Sequence, residues 1–280
     1  MMKLGIGTYT YGWAIGVPEM QYPRKMLEHQ LLAKAKSFDL SLVQIGDNLP
    51  LHTFAEERLD YLYRLSQSMN IDLEIGARGL TPDYLHRYID IAAYLKARML
   101  RFVIDQPGYE PPVPDIVSII QEAESSLRRQ GVTLALENHD RLKARQFREI
   151  IEKVGSQHVG ICLDSVNSMG AAEGLETIVE TLAPYTVNLH IKDFSIQRLS
   201  HKMGFQIDGR PAGKGMLNIP WLLEQISKSG KCHTAILEQW VVPETEQADT
   251  LRKEEQWANE SIQYLKPLFD TKSSVTLTNS

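Results

Sequence analysis

Residues 159–164 read VGICLD. A short run of Val, Ile and Leu closes on an aspartate, the look of a strand buried on both faces with an acid at its C-terminal end. The pattern recurs on both sides. GVTLALE (131–137) ends in Glu137, TVNLH (186–190) in His190 and TAILE (234–238) in Glu238. In a parallel α/β barrel every strand points its C-terminal end at one rim, so four such residues on neighbouring strands converge. Two Glu, one Asp and one His make a mixed oxygen and nitrogen set suited to a divalent cation. Carboxylates this close repel unless a cation or protons lie between them.

Outward from these four segments, strand-like and helix-like stretches alternate eight times. Strands are expected at KLGIGT (3–8), SLVQIG (41–46), IDLEIG (71–76), RMLRFVI (98–104), 132–137, 159–164, 186–191 and 233–238. Helical spacing falls at 24–37, after a start signal at Pro23, and at 54–69, about 115–130, 144–154, 173–182, 219–229 and 250–267. Thr81-Pro82-Asp83 opens a further helix, with Thr81 as N-cap and proline in the first turn. The chain therefore reads as α/β, a single-domain (β/α)8 TIM barrel over residues 1–268 with a polar tail over 269–280. A doubly wound open sheet lacks support, because no glycine-rich phosphate turn follows the first strand.

One connection departs from the short ones. Residues 192–217 follow the seventh strand and are expected as a long lid loop over the mouth. They hold Lys192, Arg198, His201, Lys202, Arg210 and Lys214 against Asp193 and Asp208, a cation excess suited to an anionic substrate group. Gly204, Gly209, Gly213 and Gly215 would serve as hinges or as points of close approach to a ligand.

Composition narrows the function classes. A net charge of −5 argues against a nucleic-acid binder that relies on phosphate attraction. The two cysteines, Cys162 and Cys232, argue against a disulfide framework and for a reducing, cytoplasmic setting. The opening MMKLGIGTYTYGW does not read as a signal peptide, and no apolar run reaches the roughly 18 residues of a membrane span.

With LENHD (136–140), ICLDSVNSMG (161–170), LHIKDF (189–194), GRPAGKGMLNIPWLL (209–223) and ILEQW (236–240), the chain resembles the xylose-isomerase-like TIM-barrel superfamily of sugar phosphate isomerases and epimerases. The resemblance runs from Lys3 to about Leu268. It implies Glu137, Asp164, His190 and Glu238 as metal ligands, with Mn2+ the usual ion and Mg2+, Co2+ or Zn2+ as alternatives. Many members carry a histidine three residues after the aspartate of the sixth strand; here that position is Asn167, which can bind a substrate hydroxyl but cannot shuttle a proton. NHDR (138–141), HKMGF and GRPAG narrow the resemblance to a subgroup that includes 3-oxo-isoapionate decarboxylases.

Two chemistries follow. In an isomerase or epimerase, the metal stabilises an enediolate of a small keto sugar or sugar acid, and Glu137 and Glu238 take and return the proton. In a decarboxylase, the same metal stabilises the enolate left by a 3-oxo sugar acid, Lys192 or a metal-bound water supplies the proton, and Lys192, Arg198, His201 and Arg210 are candidates to hold the carboxylate. Lys214, Asn167 and His139 are further substrate-contact candidates. A non-catalytic sugar-binding barrel would not need four charged ligands. Tyr9, with Thr8 and Trp13, follows the first strand at the rim; Asp47, Asn48 and Arg78 follow the next two, and Asp140 adjoins His139. The expected partner is a small-molecule sugar or sugar acid, with no nucleic acid and no membrane, and a homodimer is possible for a barrel of this size.

Overall fold

The computed structural model describes residues 2–17 and 25–270. The helix start expected at Pro23 and the tail beyond Asp270 fall outside them. Ten strands follow in chain order: β1 Lys3–Gly7, β2 Leu42–Ile45, β3 Asp72–Arg78, β4 Met99–Val103, β5 Thr133–Glu137, β6 Val159–Asp164, β7 Thr186–Ile191, β8 Phe194–Arg198, β9 Phe205–Gly209 and β10 Thr234–Leu237. β1 to β7 and β10 form a closed barrel in the order β1-β10-β7-β6-β5-β4-β3-β2. Every neighbouring pair is parallel. Parallel neighbours need crossovers, and helices supply them.

The helices are α1 Gly12–Ile15, α2 Glu28–Ser37, α3 Glu56–Ser68, α4 Pro82–Leu95, α5 Val113–Gln130, α6 Ala144–Val154, α7 Leu175–Leu182, α8 Ile219–Ser227 and α9 Gln247–Asp270. α6 shows why they lie on the barrel. In ARQFREIIEKV, Ala144, Phe147, Ile150 and Ile151 share one face and are the buried residues, while the charged positions face outward. α5 stops where Gly131 takes a left-handed φ of 66°. Thr81 stands at the N-cap of α4 with Pro82 behind it, but its hydroxyl makes no capping hydrogen bond. None of these helices is long and apolar enough to cross a membrane.

The segment expected as a lid loop is built differently. β8 and β9 pair antiparallel from Phe194↔Gly209 to Arg198↔Phe205. FSIQR and FQIDG each alternate apolar and polar residues, the pattern of a half-exposed hairpin. Gly209 closes it under Trp240, where a Cβ would strike the indole. Asp193, 1% exposed, ties the base: its carboxylate accepts from the backbone N–H of Phe194, Gly213, Gly215 and Leu217.

Glu254 of α9 ties α1, which follows β1, to α9. Its carboxylate accepts from Trp13 N at 2.7 Å and Ala14 N at 3.0 Å. Burial outweighs both donors and pushes this carboxyl up to about 7. In the unfolded chain it ionises near 4.3. The folded state thus holds the proton more tightly. The resulting stability is complete at acid pH and is lost as pH rises through about 7, a swing of about 4 kcal/mol. Glu254→Gln, which resembles the protonated group, is expected to flatten the urea-unfolding stability between about pH 5 and about pH 8. Equal slopes in the two proteins would refute this.

Candidate metal centre at the barrel mouth

Glu137 and Asp164 end β5 and β6, His190 lies one residue before the end of β7, and Glu238 follows β10. All four are buried. The register sets Asp164 beside His190 and Glu137 beside Cys162. His190 Nδ1 lies 3.2 Å from Glu238 Oε1, 3.8 Å from Glu137 Oε2 and 3.9 Å from Asp164 Oδ2. The four positions read from the sequence therefore meet around one imidazole nitrogen.

A layer of polar side chains beneath them fixes that ring. Gln44 donates from Nε2 to Glu74 Oε2 at 3.0 Å and to Asn188 Oδ1 at 3.3 Å. Its Oε1 is thereby left to accept from His190 Nε2 at 2.8 Å, which places the ring hydrogen on Nε2. Asn188 Nδ2 reaches Glu74 Oε2 at 3.0 Å and Thr234 Oγ1 at 2.8 Å. Burial pushes the Glu74 carboxyl up, toward its neutral form. Nδ1 of His190 is buried, makes no hydrogen bond, and sets its lone pair against three carboxylate oxygens. Such an arrangement calls for a cation or a proton between them, and the donor set of Asp164, His190 and Glu238, all within 4.8 Å of one another, fits a divalent ion. Cys162 groups equally with Glu137 and His190, but its Sγ is engaged with Asn188 Oδ1 at 3.1 Å, in the polar layer beneath.

Lys192 stands in the same cluster, its Nζ 2.9 Å from both Asp164 Oδ2 and Glu238 Oε2. Burial alone would loosen its proton, but the carboxylates of Asp164, Glu238 and Glu137 outweigh burial and hold the ammonium charged. Burial likewise opposes the charge on Glu238, and the cations Lys192 and Arg101 lower its carboxyl nonetheless. Asn167 links the two sides: its Nδ2 donates to Glu137 Oε1 at 2.7 Å, and its Oδ1 accepts from Lys192 Nζ at 3.3 Å.

The other side of the mouth centres on a residue the sequence reading missed. Arg101 of β4, 3% exposed, donates from Nε to Glu137 Oε2 and from Nη1 to Asp47 Oδ1 at 2.6 Å. Asp47 Oδ2 also accepts from Arg78 Nε and from the Tyr9 hydroxyl, each at 3.1 Å. Burial would raise the Asp47 carboxyl, yet Arg101 and Arg78 bring it far below the usual carboxylate range. Arg78 Nη2 meets His139 Nε2 at 3.4 Å, and His139 Nδ1 lies 3.1 Å from Asp140 Oδ2.

The remaining expected contacts have other partners. Arg198 donates to Lys202 O at 2.9 Å and lies over the Phe205 ring at 4.3 Å. His201 Nδ1 accepts from Met203 N at 3.2 Å, Arg210 Nη1 bonds Gly209 O at 2.6 Å, and Lys214 pairs with Glu260 of α9 at 2.7 Å. These contacts hold the hairpin and its base. Thr8 Oγ1 accepts from Gly46 N at 2.8 Å, Asn48 Nδ2 reaches Thr8 O and Gly16 O at 3.4 Å, and Trp13 Nε1 bonds Val241 O at 2.7 Å; they brace the rim backbone. A depression of about 1700 Å3 opens at the opposite end, lined by Lys3, Glu74, Lys96, Arg98 and Thr234 among others. It lies at the strand N-termini, the face of a barrel that carries stability rather than chemistry.

A family model described as xylose isomerase-like TIM barrel matches residues 59–268. The 3-oxo-isoapionate decarboxylase of Pectobacterium atrosepticum is 29% identical over 266 residues, covering 94% of this chain and 95% of that protein. Among solved structures, a D-psicose 3-epimerase determined in the presence of D-fructose superposes with a TM-score of 0.70 at 12% identity, over 94% of this chain and 97% of that one. A xylose isomerase-like TIM barrel protein from Mycobacterium smegmatis, in complex with magnesium, gives 0.68 at 14% identity with the same coverage. At such identities the structural likeness speaks for the fold.

Proposed function

The chain belongs to the xylose isomerase-like TIM-barrel family, and from that premise we propose that it is a divalent-metal-dependent decarboxylase of a small 3-oxo sugar acid. Glu137, Asp164, His190 and Glu238 would hold the ion, with Mn2+ the foremost candidate beside Mg2+, Co2+ and Zn2+. When bound, the ion supplies a Lewis acid that stabilises negative charge developing on the substrate's oxo group. The bond to the carboxyl carbon breaks, CO2 leaves, and its electron pair passes into the enolate. Lys192 then delivers a proton from Nζ to the carbon that lost CO2 and is recharged from water. Gln44 holds the His190 ring with Nδ1 toward the three carboxylates, where an ion would be bound, and His139 and Asn167 would meet substrate oxygens.

The observation that carries this reading is the state of Glu137. Both of its oxygens accept protein hydrogen bonds, Oε2 from Arg101 and Oε1 from Asn167. Both oxygens are thereby turned toward protein donors rather than toward a substrate carbon, whereas epimerisation needs a free base on each side of the substrate. Full-length similarity to a 3-oxo-isoapionate decarboxylase supports the same choice. The isomerase or epimerase reading, which the sequence put first, comes second. A homodimer remains part of the proposal, with exposed Ile196, Met203, Phe205 and Ile207 on the hairpin as an apolar face; sedimentation counts the copies.

The deciding experiment incubates manganese-loaded protein in D2O with small 3-oxo sugar acids labelled with 13C at the carboxyl, beside the matching neutral keto sugars. The expected result is labelled CO2, and deuterium on the carbon that lost it. Deuterium uptake into a neutral ketose without CO2 would replace this reading by the epimerase.

A further inference from the structure

We infer that Arg78 and Arg101 form the seat for the substrate's carboxylate and make this mouth select a monoanionic sugar acid over a neutral ketose. The inference rests on the decarboxylase reading for its substrate class, but on independent geometry for its residues. Of the cations first expected to do this, Arg198, His201 and Arg210 are engaged within the hairpin and its base, and Lys192 is paired with Asp164 and Glu238. Arg78 and Arg101 stand on β3 and β4 beside the His190 cluster, with Arg101 bonded to its Glu137, and share one acceptor, Asp47. That shared anchor holds two guanidinium groups side by side before any ligand arrives, which lowers the ordering cost of binding. Among the described residues Arg78 Nη1 takes no protein hydrogen bond, and the side chain is 31% exposed.

Charge points the same way. The carboxylates of Asp47, Glu137, Asp164 and Glu238 face the permanent cations Arg78, Arg101 and Lys192, leaving one negative charge in excess. A divalent ion turns that into one positive charge in excess. A single carboxylate restores neutrality, a neutral ketose leaves the excess, and a phosphate dianion overshoots it. Because Asp47 already takes part of their charge, the two guanidiniums orient a carboxylate without stabilising it so strongly that loss of CO2 is opposed. Arg78 is therefore a specificity residue whose effect falls mainly on binding.

The test is calorimetric titration of manganese-loaded protein with D-threonate, a four-carbon sugar acid, and with threitol, its uncharged counterpart. Wild type is expected to bind threonate at least tenfold more tightly than threitol. Arg78→Met is expected to weaken threonate on the order of 10- to 100-fold and leave threitol unchanged. Arg78→Lys should restore part of the loss, since it keeps charge but not the fork. Metal content and unfolding midpoint of each variant confirm that the protein titrated is folded and loaded. Threonate binding that is unchanged in Arg78→Met, or wild type that takes both ligands alike, overturns the seat. The two failures separate cleanly: threonate selectivity through Arg78 without CO2 release sinks the decarboxylase alone, and CO2 release with an unaltered KM in Arg78→Met sinks the seat alone.

Discussion

Asp164→Asn is expected to abolish tight metal binding and to lower kcat/KM for CO2 release by a factor on the order of a thousand or more. The backbone dictates the reason. Asp164 Oδ1 accepts from the N–H of Val166 and of Asn167, both at 2.8 Å. An asparagine keeps those two bonds only by leaving its oxygen there, which puts its amide nitrogen where Oδ2 now stands. That position faces Lys192 Nζ at 2.9 Å and His190 Nδ1 at 3.9 Å. The variant therefore loses a charge and a lone pair at the point where an ion would be held, and sets an N–H against an ammonium. The turn after β6 survives, and Asn138 still brackets the backbone of residue 164 on both sides, so the barrel should fold. Circular dichroism tests the fold, elemental analysis after dialysis counts metal per chain, and turnover follows CO2. Wild-type metal content with undiminished turnover would remove Asp164 from the site.

What the sequence disclosed and what it hid have separate physical causes. The strands around VGICLD and TVNLHI fall where the periodicity puts them, at Val159–Asp164 and Thr186–Ile191, because a doubly buried strand is a continuous apolar run and its end is marked by a polar residue. The same rule concealed the layer below. Gln44, Glu74, Arg101 and Asn188 each interrupt an apolar run in mid-strand, and each is buried inside the barrel. One polar residue inside SLVQIG, IDLEIG, RMLRFVI or TVNLHI was the available signal, since a strand covered on both faces has nowhere wet to send it. The contacts of the lid cations were hidden for the converse reason. A charge tally along residues 192–217 carries no direction, and only the hairpin register turns Arg198 onto Phe205, while the packing of α9 brings Glu260 to Lys214.

Arg101→Met should destabilise the metal-free protein by about 3–5 kcal/mol, the range for removing one partner of a buried ion pair. Arg101 is 3% exposed and lies between Glu137, 1% exposed, and Asp47. Asp47 keeps Arg78 and Tyr9 as partners. Among the described residues Glu137 keeps only the Asn167 amide as a hydrogen-bond donor, and the cation that still acts on it, Lys192, is shared with Asp164 and Glu238. Two consequences distinguish this from simple loss of packing. Adding Glu137→Gln to Arg101→Met removes the stranded charge and should recover a substantial part of the loss, giving a coupling energy of about 1–3 kcal/mol in the double-mutant cycle. Manganese should also restore stability to Arg101→Met, because an ion at the His190 cluster neutralises the same carboxylate, and should do so less in the double variant, where that carboxylate is gone. Urea unfolding of the four proteins, each with and without metal, measures both. A variant as stable as wild type, or a coupling indistinguishable from zero, would mean that Arg101 does not balance Glu137 and does not hold it in place.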